Sequence, residues 1–213
     1  MKPLEVIAAR GWEAALQLAF ERRGERSVLA RRSSYGPLAV QKALYPEDEL
    51  VCHAILLHPP GGIAGGDRLD IEIEVQTGAR ALLTTPGATK WYRSAGTEAV
   101  QSVAISIGRN ALCEWLPQEN IFFESARAKS LLSVDLQEGG VFCGWDVMCL
   151  GRTACGESFR AGQLRTHIRV TRGARPLFEE LGTLEGGEAL LNSAIGMAGY
   201  PVSATFIMAG VVA

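Results

Sequence analysis

Histidine is scarce: His53, His58 and His167 are the only three in 213 residues. No Gly-x-Ser-x-Gly, no His-Glu-x-x-His and no cysteine–histidine pair with the flanks of a known family occurs, so the sequence carries no signature of a catalytic constellation. Cysteine occurs five times, at 52, 113, 143, 149 and 155, with no Cys-x-x-Cys among them. That spacing excludes a disulfide framework and a zinc knuckle and fits a reducing cytoplasm. An excess of positive charge is missing too. Lys plus Arg number 21 against 23 Asp plus Glu, a net charge of -2, which is not the footprint of a nucleic-acid binder. No apolar run approaches the ~18 residues of a membrane span, and Met1 to Trp12 lacks the apolar centre of a signal peptide. What is present is an ordinary globular balance, 47% hydrophobic and 21% charged, in a chain long enough to fold without staples.

Alternation is the dominant pattern, and it reads as strand. Leu69, Ile71, Ile73 and Val75 alternate with Asp70, Glu72, Glu74 and Gln76, a period of two with one wet face. The same period runs through Leu16, Leu18 and Phe20, through Val103, Ile105 and Ile107, through Leu132, Val134 and Leu136, and through Leu164 to Val170. Leu50 to Leu57 is apolar on both faces and reads as a covered strand. The 24 glycines fall between these runs, as turns. Arg22, Arg23, Arg26, Arg31 and Arg32, interleaved with Glu21 and Glu25, read as a solvated hairpin. Thr183 to Ala194 is the best helix candidate, although Gly186 and Gly187 weaken it by about 1 kcal/mol each. No internal repeat or linker is evident. The expectation is one mainly β domain over residues 1–213, with one or two short helices. Ala204 to Ala213 is almost wholly apolar and reads as a strand cut in the middle, so the chain is expected to be truncated there. Cys143, Cys149 and Cys155 are evenly spaced and would share a face of one continuous strand; small buried hydrophobes are the expected role for such thiols.

Function, if it is written anywhere, is written in the turns. His58-Pro59-Pro60-Gly61-Gly62-Ile63-Ala64-Gly65-Gly66-Asp67 demands backbone angles that other residues resist. It is not a phosphate loop, because no Lys-Ser/Thr and no helix follow. It reads as a connection closed by Asp67, equally able to serve as a functional surface. Thr85 to Ser94 sets Lys90 and Arg93 beside Trp91 and Tyr92, a pattern that suits a partner-protein contact. Glu119 in the Trp115–Asn120 break reads as a turn carboxylate. Asp146 lies inside the apolar run Val141–Leu150, so it is either exposed or buried and paired, with Arg152 and Glu157 as partners for it or for each other.

Those same turns resemble a known family. Gly36-Pro37-Leu38 through Tyr45-Pro46-Glu47, the His58–Asp67 segment, Thr85–Ser94, Leu116-Pro117-Gln118-Glu119, Leu150-Gly151-Arg152 with Gly156-Glu157, and Arg175-Pro176-Leu177 occur in the order found in the urease accessory protein UreD (UreH) family. The resemblance implies a strand-rich, non-catalytic scaffold. Its implied partners are urease apoprotein, a helical UreF-type protein and, through the complex, a UreG-type GTPase, with no nucleic acid and no membrane. It also implies transient nickel, passed through the subunit and never tightly bound, and chains that usually run on beyond this one. Oxygen and imidazole donors suit an ion that must be held and released. On that logic Asp67, Glu119, Asp146, Glu157 and His58 are the candidate passage ligands. Gly61, Gly62, Gly65, Gly66, Lys90, Tyr92, Arg93 and Arg152 fall to partner or structural roles. The competing expectation is a strand-rich enzyme or ligand-binding domain with its pocket at the Gly62–Asp67 turn.

Overall fold

The computed structural model describes residues 11–210. Strands β1 (Glu13–Arg23) and β2 (Arg26–Tyr35) make a hairpin, with Arg22 and Glu25 paired across its turn. The short β3 (Ala39–Val40) and β4 (Val51–Leu57) follow, then β5 (Arg68–Val75), β6 (Arg80–Thr84) and β7 (Thr89–Trp91). After these come β8 (Ala99–Ile107), β9 (Leu112–Trp115), β10 (Asn120–Phe122), β11 (Arg127–Leu136) and β12 (Val141–Leu150). A second hairpin, β13 (Gln163–Arg172) and β14 (Arg175–Glu185), precedes β15 (Val202–Ala209).

These strands divide between two sheets. The first has the order β14-β13-β11-β8-β5-β1-β2; the second runs β3-β4-β6-β9-β12-β10-β7, with β15 added on β12. Within the first sheet β1, β5, β8, β11 and β13 are parallel neighbours. Within the second, β4, β6, β9, β12, β10 and β7 are parallel as well. Parallel neighbours need a long return, and here no helix supplies it. The return from β5 to β8 is β6 and β7, and the return from β8 to β11 is β9 and β10, all in the opposite sheet.

This winding is a repeat that the sequence does not advertise. Its tight ends stack: the Gly78 N–H donates to the Arg109 carbonyl, and the Asn110 N–H donates to the Glu138 carbonyl. Equivalent positions in the three turns, Gly78, Asn110 and Gly139, are all left-handed, with φ of 72°, 53° and 70°. They recur at intervals of roughly thirty residues, a period typical of solenoid-like arrays. Side-chain identity does not repeat with them, which is why no repeat is visible in the chain.

Each sheet buries one face against the other. Leu16, Leu18, Phe20, Leu69, Ile71, Ile73, Val103, Ile105, Leu132 and Val134 meet Cys52, Ala54, Ala81, Leu83, Cys113 and Phe142. The strand-rich expectation holds, and the only helical pieces among the described residues are two three-residue 3₁₀ turns, Thr153–Cys155 and Ala189–Leu191. The helix expected over Thr183–Ala194 does not form. Thr183 pairs with Arg165 in the β13–β14 hairpin, and Gly187 then turns the chain with φ of 75°; sheet pairing overrides a pattern weakened by two glycines. Cys143 and Cys149 do share one strand, but Cys155 lies past its end in the first 3₁₀ turn. Cys52 and Cys113 are buried, whereas Cys155 is exposed. The reading of a cut C-terminal strand falls partly on 211–213, outside the described residues. No helix among the described residues is long and apolar enough to cross a membrane.

Because the core is one packed interlayer, Ile105→Ala is expected to cost about 2–5 kcal/mol in chemical denaturation. Its exposed neighbour Ser106→Ala is expected to stay within about 0.5 kcal/mol. Equal costs at the two positions would contradict the assigned register.

Candidate functional site

The tight turns close one end of the sandwich. At the other end the chain returns from the second sheet to the first by longer segments, 58–67, 85–98 and 116–126. Between these segments and the sheets lies a cavity of about 290 Å³. Leu69, Ile71, Val103 and Leu132 form its apolar floor, and Gln101, Gln118, Asn120, Asp146, His58 and Lys90 bring polar groups to it.

The glycine segment builds one rim. Asp67 is 7% exposed, and both of its carboxylate oxygens are engaged: Oδ1 accepts the Trp12 N–H and Oδ2 accepts the Ala64 N–H, each at 2.8 Å. It is the clasp of the turn, as its sequence position suggested. The Ile63 N–H donates to the Lys90 carbonyl and the Tyr92 N–H to the Ile63 carbonyl, so backbone hydrogen bonds tie this segment to the 85–98 segment. Only glycine fits at 62, because a Cβ there would meet Tyr92 Cε2 at 2.5 Å and the Lys90 carbonyl at 2.8 Å. Gly65 lies equally close to Ser94, whereas Gly61 and Gly66 adopt left-handed angles. Beneath the rim, His58 Nε2 is buried with no hydrogen-bond partner. Burial lowers the His58 pKa, against a smaller opposing pull from Asp67, and so favours the neutral imidazole.

The cavity's one carboxylate comes from Asp146 on β12. It is held by a residue that the sequence reading passed over. The Trp91 indole Nε1–H donates to Asn120 Oδ1 at 3.0 Å, and Asn120 Nδ2–H donates to Asp146 Oδ1 at 2.9 Å. Asn120 is 7% exposed. The available signal was its place at the head of the apolar Asn120-Ile121-Phe122 strand, where a polar side chain needs a partner. Burial raises the Asp146 pKa, the Asn120 hydrogen bond pulls it down, and Glu180 pushes it up again. Asp146 also lines a second recess, of about 440 Å³, that holds Glu180 and Thr205. The Thr205 hydroxyl donates to the Glu180 carboxylate at 3.2 Å.

Of the five candidate ligands, only His58 and Asp146 reach the cavity. Glu119 lies at its edge beside Cys149, whose thiol its charge pushes up after burial, and the Glu119 carbonyl accepts the Thr89 N–H. Glu157 lies in a separate basin with Arg93, Glu124, Arg152 and Arg160. There Oε2 accepts Arg152 Nε–H at 3.1 Å and Oε1 accepts the Glu124 N–H at 3.0 Å. The Arg152 guanidinium sits 4.2 Å over the Phe123 ring, and Phe123 meets Tyr92 edge-on. Arg152 and Glu157 therefore pair with each other and not with Asp146. Among the described residues no group of three or more His, Cys, Asp or Glu side chains gathers as a metal-holding cluster.

The Arg152 hydrogen bond, with the Glu124 N–H in support, holds the Glu157 carboxyl below its ordinary 4.5. The stabilisation it gives is complete above pH 4.5 and is lost as pH falls through the lower folded value. Glu157→Gln is expected to lower the melting temperature at neutral pH, with the difference closing on acidification below pH 4.5. A difference that persists in strong acid would contradict this.

Comparison with known proteins matches the sequence to a family. The model of the UreD urease accessory protein family matches residues 13–213. The chain is 52% identical over 202 residues to the urease accessory protein UreD of Azoarcus sp. (strain BH72), covering 95% of this chain and 71% of that protein. It is 52% identical over 198 residues to UreD of Dechloromonas aromatica, covering 93% and 69%. With UreD of Ralstonia nicotianae it shares 50% over 208 residues, covering 98% and 70%. Matched across nearly its whole length by family model and relatives alike, the chain belongs to the UreD family of urease accessory proteins.

Proposed function

We propose that this chain is a non-catalytic scaffold of urease maturation, which binds urease apoprotein and UreF- and UreG-type accessory proteins and helps to pass nickel toward the urease active site. Membership of a urease accessory family gives it a role in urease maturation. The observation that carries the nickel reading is the Asp146 carboxylate, which lines both the cavity and the adjoining recess and is the one carboxylate of the cavity. A charge-bearing group is costly to bury, and it is tolerated where something polar or cationic is to be met. The nearby donors are one neutral imidazole, several amides and, in the recess, the Glu180 carboxylate, with no thiolate cage, so an ion is met by few ligands at a time. That arrangement favours transit over storage.

Scaffold function is supported by the outer surfaces. The first sheet presents a wet face, with Asp70, Glu72 and Glu74 alternating outward. On β15 of the second sheet Val202, Phe206 and Met208 are 51%, 62% and 58% exposed. An apolar row of this kind suits a partner interface.

Co-expression of the tagged chain with urease apoprotein and a UreF-type protein is expected to recover both partners. The isolated chain is expected to bind no small molecule and turn nothing over. Recovery of neither partner, together with saturable ligand binding by the chain alone, would favour the competing enzyme or ligand-binding reading, with its site beside Gly62.

A further inference from the structure

The hydrogen-bond chain from Trp91 through Asn120 to Asp146 has one permitted direction. The indole Nε1–H can only donate, so the Asn120 side-chain oxygen must face Trp91. The amide nitrogen is then committed to Asp146, which must accept it. Trp91 is itself immobile: it is 1% exposed and stacks on Phe122 with ring centroids 5.4 Å apart. The three residues come from three adjacent strands. Trp91 lies on β7, Asn120 on β10 and Asp146 on β12, with β10 hydrogen-bonded to both neighbours. Asp146 Oδ1 is thus pinned from the side of the sheet, while Oδ2 accepts no hydrogen bond among the described residues.

A carboxylate at the edge of a cavity can rotate and so present either oxygen, both or neither to its interior. An outer partner that fixes one oxygen removes that freedom and leaves the other available. Aspartate in place of Asn120 could take the indole N–H but would offer no donor to Asp146, and leucine would do neither. Asparagine alone both accepts from Trp91 and donates to Asp146 at this length.

We propose that Trp91 and Asn120 are positioning residues that aim the free oxygen of Asp146 into the cavity for the passing cation. This rests on the reading of the cavity as a nickel passage. Neither residue touches the ion; each acts through the carboxylate.

The test is activation of urease in a host deleted for its own UreD, complemented with this chain or its variants and titrated with nickel salt. Wild type, Asp146→Asn, Asn120→Leu and Trp91→Phe are compared for the nickel concentration at half-maximal activation and for the maximum reached. Trp91→Phe keeps the stacking ring and deletes only the N–H, so it guards against a failure of Asn120→Leu to fold. Loss of an outer partner of a ligand typically weakens metal interaction 10–100-fold. Both Asn120→Leu and Trp91→Phe are therefore expected to raise the half-maximal nickel concentration by roughly tenfold with the maximum preserved. The double variant Asn120→Leu/Asp146→Asn is expected to be no worse than Asp146→Asn. A purely structural role would lower the maximum and leave the half-maximal concentration unchanged, and that result overturns the proposal. If Asp146→Asn shifts the titration and the two positioning variants do not, the positioning role is wrong and the passage stands. If Asp146→Asn itself shifts nothing, passage and positioning fall together.

Discussion

Parallel strands need long returns, and in this protein the returns from β5 to β8 and from β8 to β11 run through strands of the opposite sheet. That constraint organises the rest. It gives the central strands β5, β8 and β11 one buried and one outward face, because their partner layer lies only on one side. It brings the tight turns at 78, 110 and 139 into a stack that demands left-handed backbone at each step, met twice by glycine and once by asparagine. It also sends the longer returns to the opposite end, where they cannot all pack flush. The cavity is the space left between them.

Charge follows the same geometry. The clasp at Asp67 and the Arg152–Glu157 pair both use carboxylates to fix long returns, and their oxygens are spent on backbone and guanidinium groups. Asp146 differs. It points inward from the middle of a strand and has a single fixed hydrogen bond, at an end of the sandwich where two hollow spaces adjoin. Burial pushes its pKa up, against the pull of the Asn120 hydrogen bond.

Much of this was legible in the chain. Strict alternation at Leu69–Val75 and its counterparts gave the strands and their buried faces, since a period of two has one physical meaning on a half-covered sheet. The arginine-rich hairpin and the Asp67 clasp were readable from turn chemistry. The parallel pairing was not, because register and neighbour are properties of distant segments, and the three-turn repeat conserves conformation and not residue type. The helix expected at Thr183–Ala194 failed because its first residues were already committed to the β13–β14 hairpin. At the site, Asp146 stood out as a charge in an apolar run, whereas Asn120 was overshadowed by its charged neighbour Glu119. Its meaning depends on an indole and a carboxylate that reach it only across two strand pairings.

The measurement that bears most directly on a role in nickel delivery is the nickel content of urease purified from a host whose own UreD has been deleted, with and without this chain. Urease is expected to be nearly empty of nickel in its absence and substantially filled when the chain is supplied. Equal nickel content in the two preparations would contradict it.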